Sequence, residues 1–122
     1  MRASRKNPAA SFFTVNLETG MPLVHEALAQ LDRELNSARN QNRLILKLIH
    51  GYGSTGKGGD IRIAVQKRLR ELQDQGAIRQ CIFGEDWSTS DPQTWALLKR
   101  YPALKTDPHL GKRNRGITIV EL

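Results

Sequence analysis

Cysteine, acid, aromatic residues and long apolar runs are all scarce in this chain, and each scarcity closes off a class of protein. A single cysteine among 122 residues excludes an internal disulfide framework and any cysteine-based metal cluster. Cys81 falls in a strand-like segment, 78–83, where a thiol serves as a small core residue rather than a nucleophile. No apolar run approaches the roughly 20 residues that span a bilayer, and no long helix pattern carries a lysine-rich face. No membrane partner is therefore expected. Aromatic residues make up only 6% of the chain, so each one carries weight in the assignments below. Internal repeats and low-complexity tracts are also missing, which leaves a single domain of ordinary composition.

The shortage of acid is the most informative. Twelve Asp and Glu face nineteen Lys and Arg, for a net charge of +7 and a pI near 10.1. Such a balance keeps a protein soluble and also favours polyanionic partners, nucleic acid foremost. The first seventeen residues contain no acid at all but include Arg2, Arg5 and Lys6. No amphipathic helix accompanies them, so residues 1–11 read as a mobile basic tail rather than an organelle-targeting peptide, and the cytoplasm is the expected compartment.

From residue 12 onward the pattern is regular. Phe13, Val15 and Leu17 alternate with Thr14 and Asn16, which predicts a strand over 12–18. Pro22 suits the first turn of a helix, and Val24, Ala27, Leu28, Leu31 and Leu35 carry it to about Ala38. A turn at 40–42 leads into the nearly continuous apolar run 43–50, as in a strand covered on both faces. Ile61, Ala64, Val65, Leu69 and Leu72 mark a second helix that Gly76 ends. Arg62, Gln66, Lys67 and Arg70 occupy its other faces, either as solvated surface or as an extension of a binding footprint. Segments 78–83 and 117–120 complete the strands. Between them, residues 84–116 form a polar insertion with a short helix, capped at 90–92 and stopped at Tyr101-Pro102, in which Trp95 and Leu98 share the inner face. The order β-α-β-α-β-β predicts an α/β two-layer sandwich with a small, mixed four-stranded sheet. Its early strands are parallel and the last one joins antiparallel.

Half of the ten glycines lie between Gly51 and Gly59, within the stretch His50, Gly51, Tyr52, Gly53, Ser54, Thr55, Gly56, Lys57, Gly58, Gly59, Asp60, Ile61, Arg62. A glycine-rich turn ahead of a helix can aim successive N–H groups and the positive end of the helix dipole at an anion. The stretch contains G-x-G-x-x-G, the pattern of a dinucleotide site. Lys57-Gly58-Gly59 separates that pattern from the predicted helix, however, and the chain is too short for two mononucleotide-binding halves. It also spells G-x-x-x-x-G-K over 51–57, but Gly58 replaces the Ser or Thr that holds magnesium in a P-loop. A small-nucleotide binder is thus a third reading, with Glu85 or Asp86 as the only acids placed to serve a metal.

The full stretch, His-Gly-x-Gly followed by a glycine-rich turn and an Ile-Arg helix start, resembles the Smr (small MutS-related) domain family. The resemblance extends over about residues 12–122, through the first strand, the helix ending Leu31-Asp-Arg-Glu-Leu35, the strand 44–49 and the closing segment 116–120. It implies a small α/β fold similar to the C-terminal domain of translation initiation factor three. It also implies binding of DNA or RNA, with nicking or cleavage of the phosphodiester backbone. Family members often end the first strand with Leu-Asp-x-His, whereas this chain has Val15-Asn16-Leu17-Glu18. That departure sets an endonuclease reading against a reading as a nucleic-acid-binding module without cleavage.

The resulting site residues are Gly51 through Gly59 and Arg62 for phosphate contacts, with Tyr52 as a stacking side chain. Lys112, Arg113 and Arg115 join them if their loop lies near 50–59. His50 and Glu18 are the catalytic candidates: a carboxylate beside His50 would favour its protonated form and orient the ring for proton transfer. His50 could equally brace the end of its strand. Trp87 and Trp95 either anchor the insertion or stack on unpaired bases. His25 reads as an ordinary surface residue, and His109 makes no metal-ligand spacing with His50. No cofactor is implied, although cleavage could call on a divalent cation such as Mg2+. A monomer is expected.

Overall fold

The computed structural model describes residues 12–52 and 57–122, in the order β1 (Phe12–Asn16), α1 (Val24–Asn40), β2 (Ile45–Ile49), α2 (Lys57–Asp74), β3 (Gln80–Phe83), α3 (Pro92–Arg100) and β4 (Ile117–Glu121). Short 3-10 turns at 84–86 and 102–106 flank α3. The tail at 1–11, loop positions Gly53, Ser54, Thr55 and Gly56, and the Lys57 side chain lie outside the described residues.

The four strands form one mixed sheet in the order β1-β2-β4-β3. β1 runs parallel to β2, with Phe13 opposite Leu46 and Asn16 opposite Ile49. β4 is antiparallel to both of its neighbours, so β1, β2 and β3 all point the same way. The last strand therefore fills the gap between β2 and β3, the most enclosed position available to it. All five of its residues are buried.

Period-two alternation divides the core into two. Val15 and Leu17 of the first strand segment, Leu46 and Leu48 of β2 and Val120 of β4 face α1 and α2, which contribute Ala27, Leu31, Leu35, Ala38, Ile61, Val65 and Leu69. The opposite face carries Ile45, Ile82, Ile117 and Ile119, and it is covered by Trp87, Leu97, Leu98 and Leu104 of the 84–116 segment. This two-sided burial accounts for the nearly unbroken apolar run of β2.

The cover is fastened by polar contacts within the sheet's span. Lys47, in the middle of β2, pairs with Asp107 at 2.6 Å, and their side chains are only 6% and 3% exposed. The other carboxylate oxygen of Asp107 accepts the Trp87 indole N–H at 3.0 Å. Buried Glu121 accepts from Arg100 of α3 at 2.8 Å and from Gln80 of β3 at 3.1 Å.

Several element boundaries differ from the sequence reading. α1 starts at Val24, so Pro22 lies outside it; the Leu23 N–H donates instead to the Glu26 carboxylate. Asp91 caps α3 by accepting the Thr94 N–H, with Pro92 as the first helical residue. Its buried stripe is Thr94, Leu97 and Leu98, not Trp95 and Leu98. The Thr94 hydroxyl donates to the Asp86 carbonyl at 2.7 Å, which turns the helix so that Trp95 faces outward at 44% exposure. α2 begins at Lys57, earlier than expected. The G-x-G-x-x-G pattern therefore abuts the helix after all, and spacing no longer argues against a dinucleotide. Sheet topology does: an antiparallel strand beside β2 is incompatible with a doubly wound parallel sheet. α2 closes with Gly76 and Ala77 donating to the carbonyls of Gln73 and Leu72, a Schellman arrangement.

Candidate functional site

The carboxyl ends of β1, β2 and β3 meet at one edge of the sheet, beside the N-terminus of α2 and the turn that leads into β4. In α/β proteins such an edge is where ligands bind. The parallel β1–β2 register continues past Asn16, with the Leu17 N–H bonded to the Ile49 carbonyl at 2.7 Å, and so delivers Glu18 beside Gly51. A side-chain carbon on Gly51 would meet a Glu18 carboxylate oxygen at 2.7 Å, and Gly51 itself has φ +81°. The left-handed φ favours glycine where the loop departs from the strand, and the short approach shows that the end of the Glu18 side chain lies against it. Asn16 accepts the N–H groups of Glu18 and Thr19 at 2.8 and 3.1 Å, forming the Asx turn that aims Glu18 at this point.

His50 is fully buried. Its Nδ1 lies 2.8 Å from the Gly51 carbonyl and its Nε2 lies 2.8 Å from the Thr118 hydroxyl. A carbonyl can only accept, so Nδ1 carries the proton and Nε2 takes the Thr118 hydroxyl hydrogen. Burial is the main cause that pushes the His50 pKa below its ordinary value; nearby Arg62 pushes the same way, while the Gly51 carbonyl and Glu85 oppose them. A neighbouring carboxylate thus does favour the protonated ring, but it is Glu85 rather than the expected Glu18, and burial outweighs it. Glu18 reaches Gly51, and the ring packs beneath the helix layer as a neutral group.

The turn before β4 lies directly on this loop. The Gly116 carbonyl accepts the N–H groups of both His50 and Gly51, at 3.0 and 3.1 Å. Asn114 accepts the Gly116 N–H at 2.8 Å. On the other side, the turn presses on Gly84: a side-chain carbon there would lie 1.7 Å from the Asn114 carbonyl oxygen. The Lys112–Arg115 segment is thus pinned between the ends of β2 and β3. Lys112, Arg113 and Arg115 are exposed, and Arg113 holds the left-handed backbone, φ +54°, that side chains other than glycine rarely adopt. None of the three has a side-chain hydrogen-bond or ion-pair partner among the described residues. Arg113 and Arg115 line a cleft of about 460 Å³ opposite Glu85, Asp86 and Asp91, so the cleft carries both signs of charge.

The remaining predicted residues fall into place around this edge. Tyr52 is 55% exposed. Gly59 lies in the first turn of α2, and Arg62 follows half-buried, its Nε without a hydrogen-bond partner. Trp87 is an anchor, fully buried, whereas Trp95 is not. Cys81 is half-buried with its thiol 3.5 Å from the Gln73 side-chain oxygen, and burial pushes its pKa up. Asn16, Gly84, Asn114 and Thr118 were not among the predicted site residues. Asn16 and Asn114 had a local signal, an Asn two residues before the N–H it accepts. Gly84 and Thr118 had none, because their partners lie 30 and 68 residues away in the sequence.

Among the described residues no helix is long and apolar enough to cross a membrane, and no three His, Cys, Asp or Glu side chains converge as a metal site. No protein-family model and no curated protein matches the chain. Among solved structures, the crystal structure of the Smr domain of Thermus thermophilus MutS2 is similar over 90% of this chain and 96% of that one, with a TM-score of 0.55 and 24% sequence identity. At that identity the likeness is one of fold.

Proposed function

Starting from an Smr-like fold, we propose that this chain binds nucleic acid through backbone phosphates at the sheet edge formed by the glycine loop and the turn before β4. The observation that carries the reading is the pinned segment 112–116. Three cationic side chains without a partner among the described residues are held on a turn whose last residue lies against Gly51. The N-terminal end of α2 and the loop amides of Gly51 through Gly59 would supply further donors, with Lys57 and Arg62 as additional positive charge. Contacts of this kind position a strand without reading its sequence. Binding is therefore selective for structure rather than for sequence.

Fluorescence-anisotropy titrations on labelled DNA and RNA, between about 50 and 200 mM salt, test the proposal. Log K should fall by roughly 0.7–0.9 per log unit of salt for each phosphate neutralised. A salt-independent interaction, or none, overturns it.

A second reading, phosphodiester hydrolysis, is favoured by the exposed Glu18 carboxylate abutting Gly51 at the loop entrance. Glu18 would take the proton from the attacking water as its oxygen bonds to phosphorus, the loop amides would stabilise charge on the non-bridging oxygens, and the bridging P–O bond would break with the departing oxygen protonated from solvent. His50, with both ring nitrogens engaged, would position the loop rather than move the proton. A panel of supercoiled, branched and single-stranded DNA and RNA, incubated with Mg2+ or Mn2+, separates the two readings. An endonuclease cuts, and Glu18→Gln stops cutting while binding persists; a binding module shifts the bands and leaves every substrate intact.

A further inference from the structure

We infer that Trp95 is a stacking platform for an unpaired nucleobase, so that the partner of this protein is single-stranded or contains a single-stranded segment. The inference rests on the nucleic-acid reading above and deepens it. The two tryptophans have opposite fates: Trp87 is sealed in the core, and Trp95 stands 44% exposed on the outer side of α3. Trp95 is flanked by charge. The ammonium of Lys99, one turn further along, lies 5.9 Å from the ring centroid, and that of Lys105, from the following 3-10 turn, lies 5.8 Å from it.

Residues three and four apart share a helix face, so Pro92, Trp95 and Lys99 form one stripe along α3. Pro92 is also part of the wall of the cleft that Arg113 and Arg115 line. The ring thus lies one helical turn beyond the arginine-bearing cleft. Both ammoniums lie over the ring as cation–π contacts; an aromatic face offers stacking to any base, and a base that takes the place of one lysine over the ring frees that ammonium to meet a flanking phosphate. In a duplex the base faces are already stacked on one another, so only an unpaired base can use the ring. Exposed lysines alone would serve any polyanion; the exposed indole between them is what selects a nucleobase.

Intrinsic fluorescence tests the inference directly, because Trp95 is the exposed indole and Trp87 the buried one. A 15-nucleotide oligo(dT) or oligo(U) should quench the emission of the full-length protein. The quench should be absent in Trp95→Ala, whose position on the surface leaves the core untouched. Trp95→Ala should weaken single-strand binding about ten- to a hundred-fold and leave binding of a matched duplex within about two-fold. Trp95→Phe should retain most of the single-strand affinity. Inorganic polyphosphate should bind wild type and Trp95→Ala equally.

Unchanged emission, or equal losses on single strand, duplex and polyphosphate, would overturn the assignment of Trp95. If neither single strand nor duplex binds the wild type, the nucleic-acid reading itself fails. If the duplex binds and the single strand leaves the emission unchanged, only the stacking platform fails.

Discussion

At the end of β2 the His50 ring donates to the Gly51 carbonyl and accepts from Thr118, so its protonation state and the shape of the loop are linked. An unfolded histidine titrates near 6.5, whereas burial holds the folded ring below that value. Below pH 6.5 the unfolded chain therefore binds more protons than the folded one, and unfolding free energy rises with pH in that window. The stability is fully present above pH 6.5 and is lost as pH falls through the depressed folded value. Urea unfolding at pH 7 and pH 5 should show this loss, and His50→Gln should flatten the profile. Arg62 and Glu85 are the charges that bear on the ring. Their opposite signs leave burial in control. The His-Gly-x-Gly motif made His50 visible as a site residue. What it could not show is Thr118, because that contact exists only once β4 lies beside β2.

Among the elements, the insertion at 84–116 contributes more than its polar sequence suggests. It covers one face of the sheet with Trp87, Leu97, Leu98 and Leu104, and Asp107 ties it to β2 through Lys47 and to itself through the Trp87 indole. Asp107→Ala takes the carboxylate away from both the Lys47 ammonium and the Trp87 indole N–H, and breaking a buried pair in this way costs about 3–5 kcal/mol. Asp107→Ala should therefore lower stability by roughly that amount in denaturant titrations, with Trp87 emission moving toward that of a solvated indole. Lys47→Met with Asp107→Leu should recover part of the loss, since apolar replacements of similar volume often equal a buried ion pair, and the shortfall reports the Trp87 indole N–H left without its acceptor. Capping at Asp91-Pro92 was legible because it depends on adjacent residues. The facing of Trp95 was not, because the Thr94–Asp86 hydrogen bond, a contact beyond the helix, sets the rotation of α3.

For the molecule as a whole, the net charge of +7 gains a direction from the fold. Some cations are engaged in structure: Lys47 with Asp107, Arg68 with Asp32 and Arg100 with Glu121. Others stack on aromatic rings, as Arg43 does on Phe13 and Arg70 on Phe83. Lys112, Arg113 and Arg115 remain exposed at the sheet edge. If each of the arginines meets one phosphate, Arg113→Ala and Arg115→Ala should each weaken binding about equally across sequences. Each should also reduce the slope of log K against log salt by about one. Anisotropy titrations of the two variants beside the wild type give both quantities; unchanged slopes would place the phosphate contacts elsewhere.

Hydrophobic period and turn chemistry are local, so the sequence by itself determined the strands, helices and their order, the parallel start of the sheet and the glycine-rich segment between β2 and α2. It also determined the basic charge that any partner must complement. Tertiary structure alone decided where β4 inserts, that Gly116 and Gly84 pin the 112–115 turn, that His50 is sealed and neutral, and that Trp95 faces outward. Each of these depends on pairs of residues brought together by folding across tens of positions. The glycine-rich stretch could be read from thirteen consecutive letters; the cationic turn comes to lie against its first glycine, Gly51, only when the last strand closes the sheet.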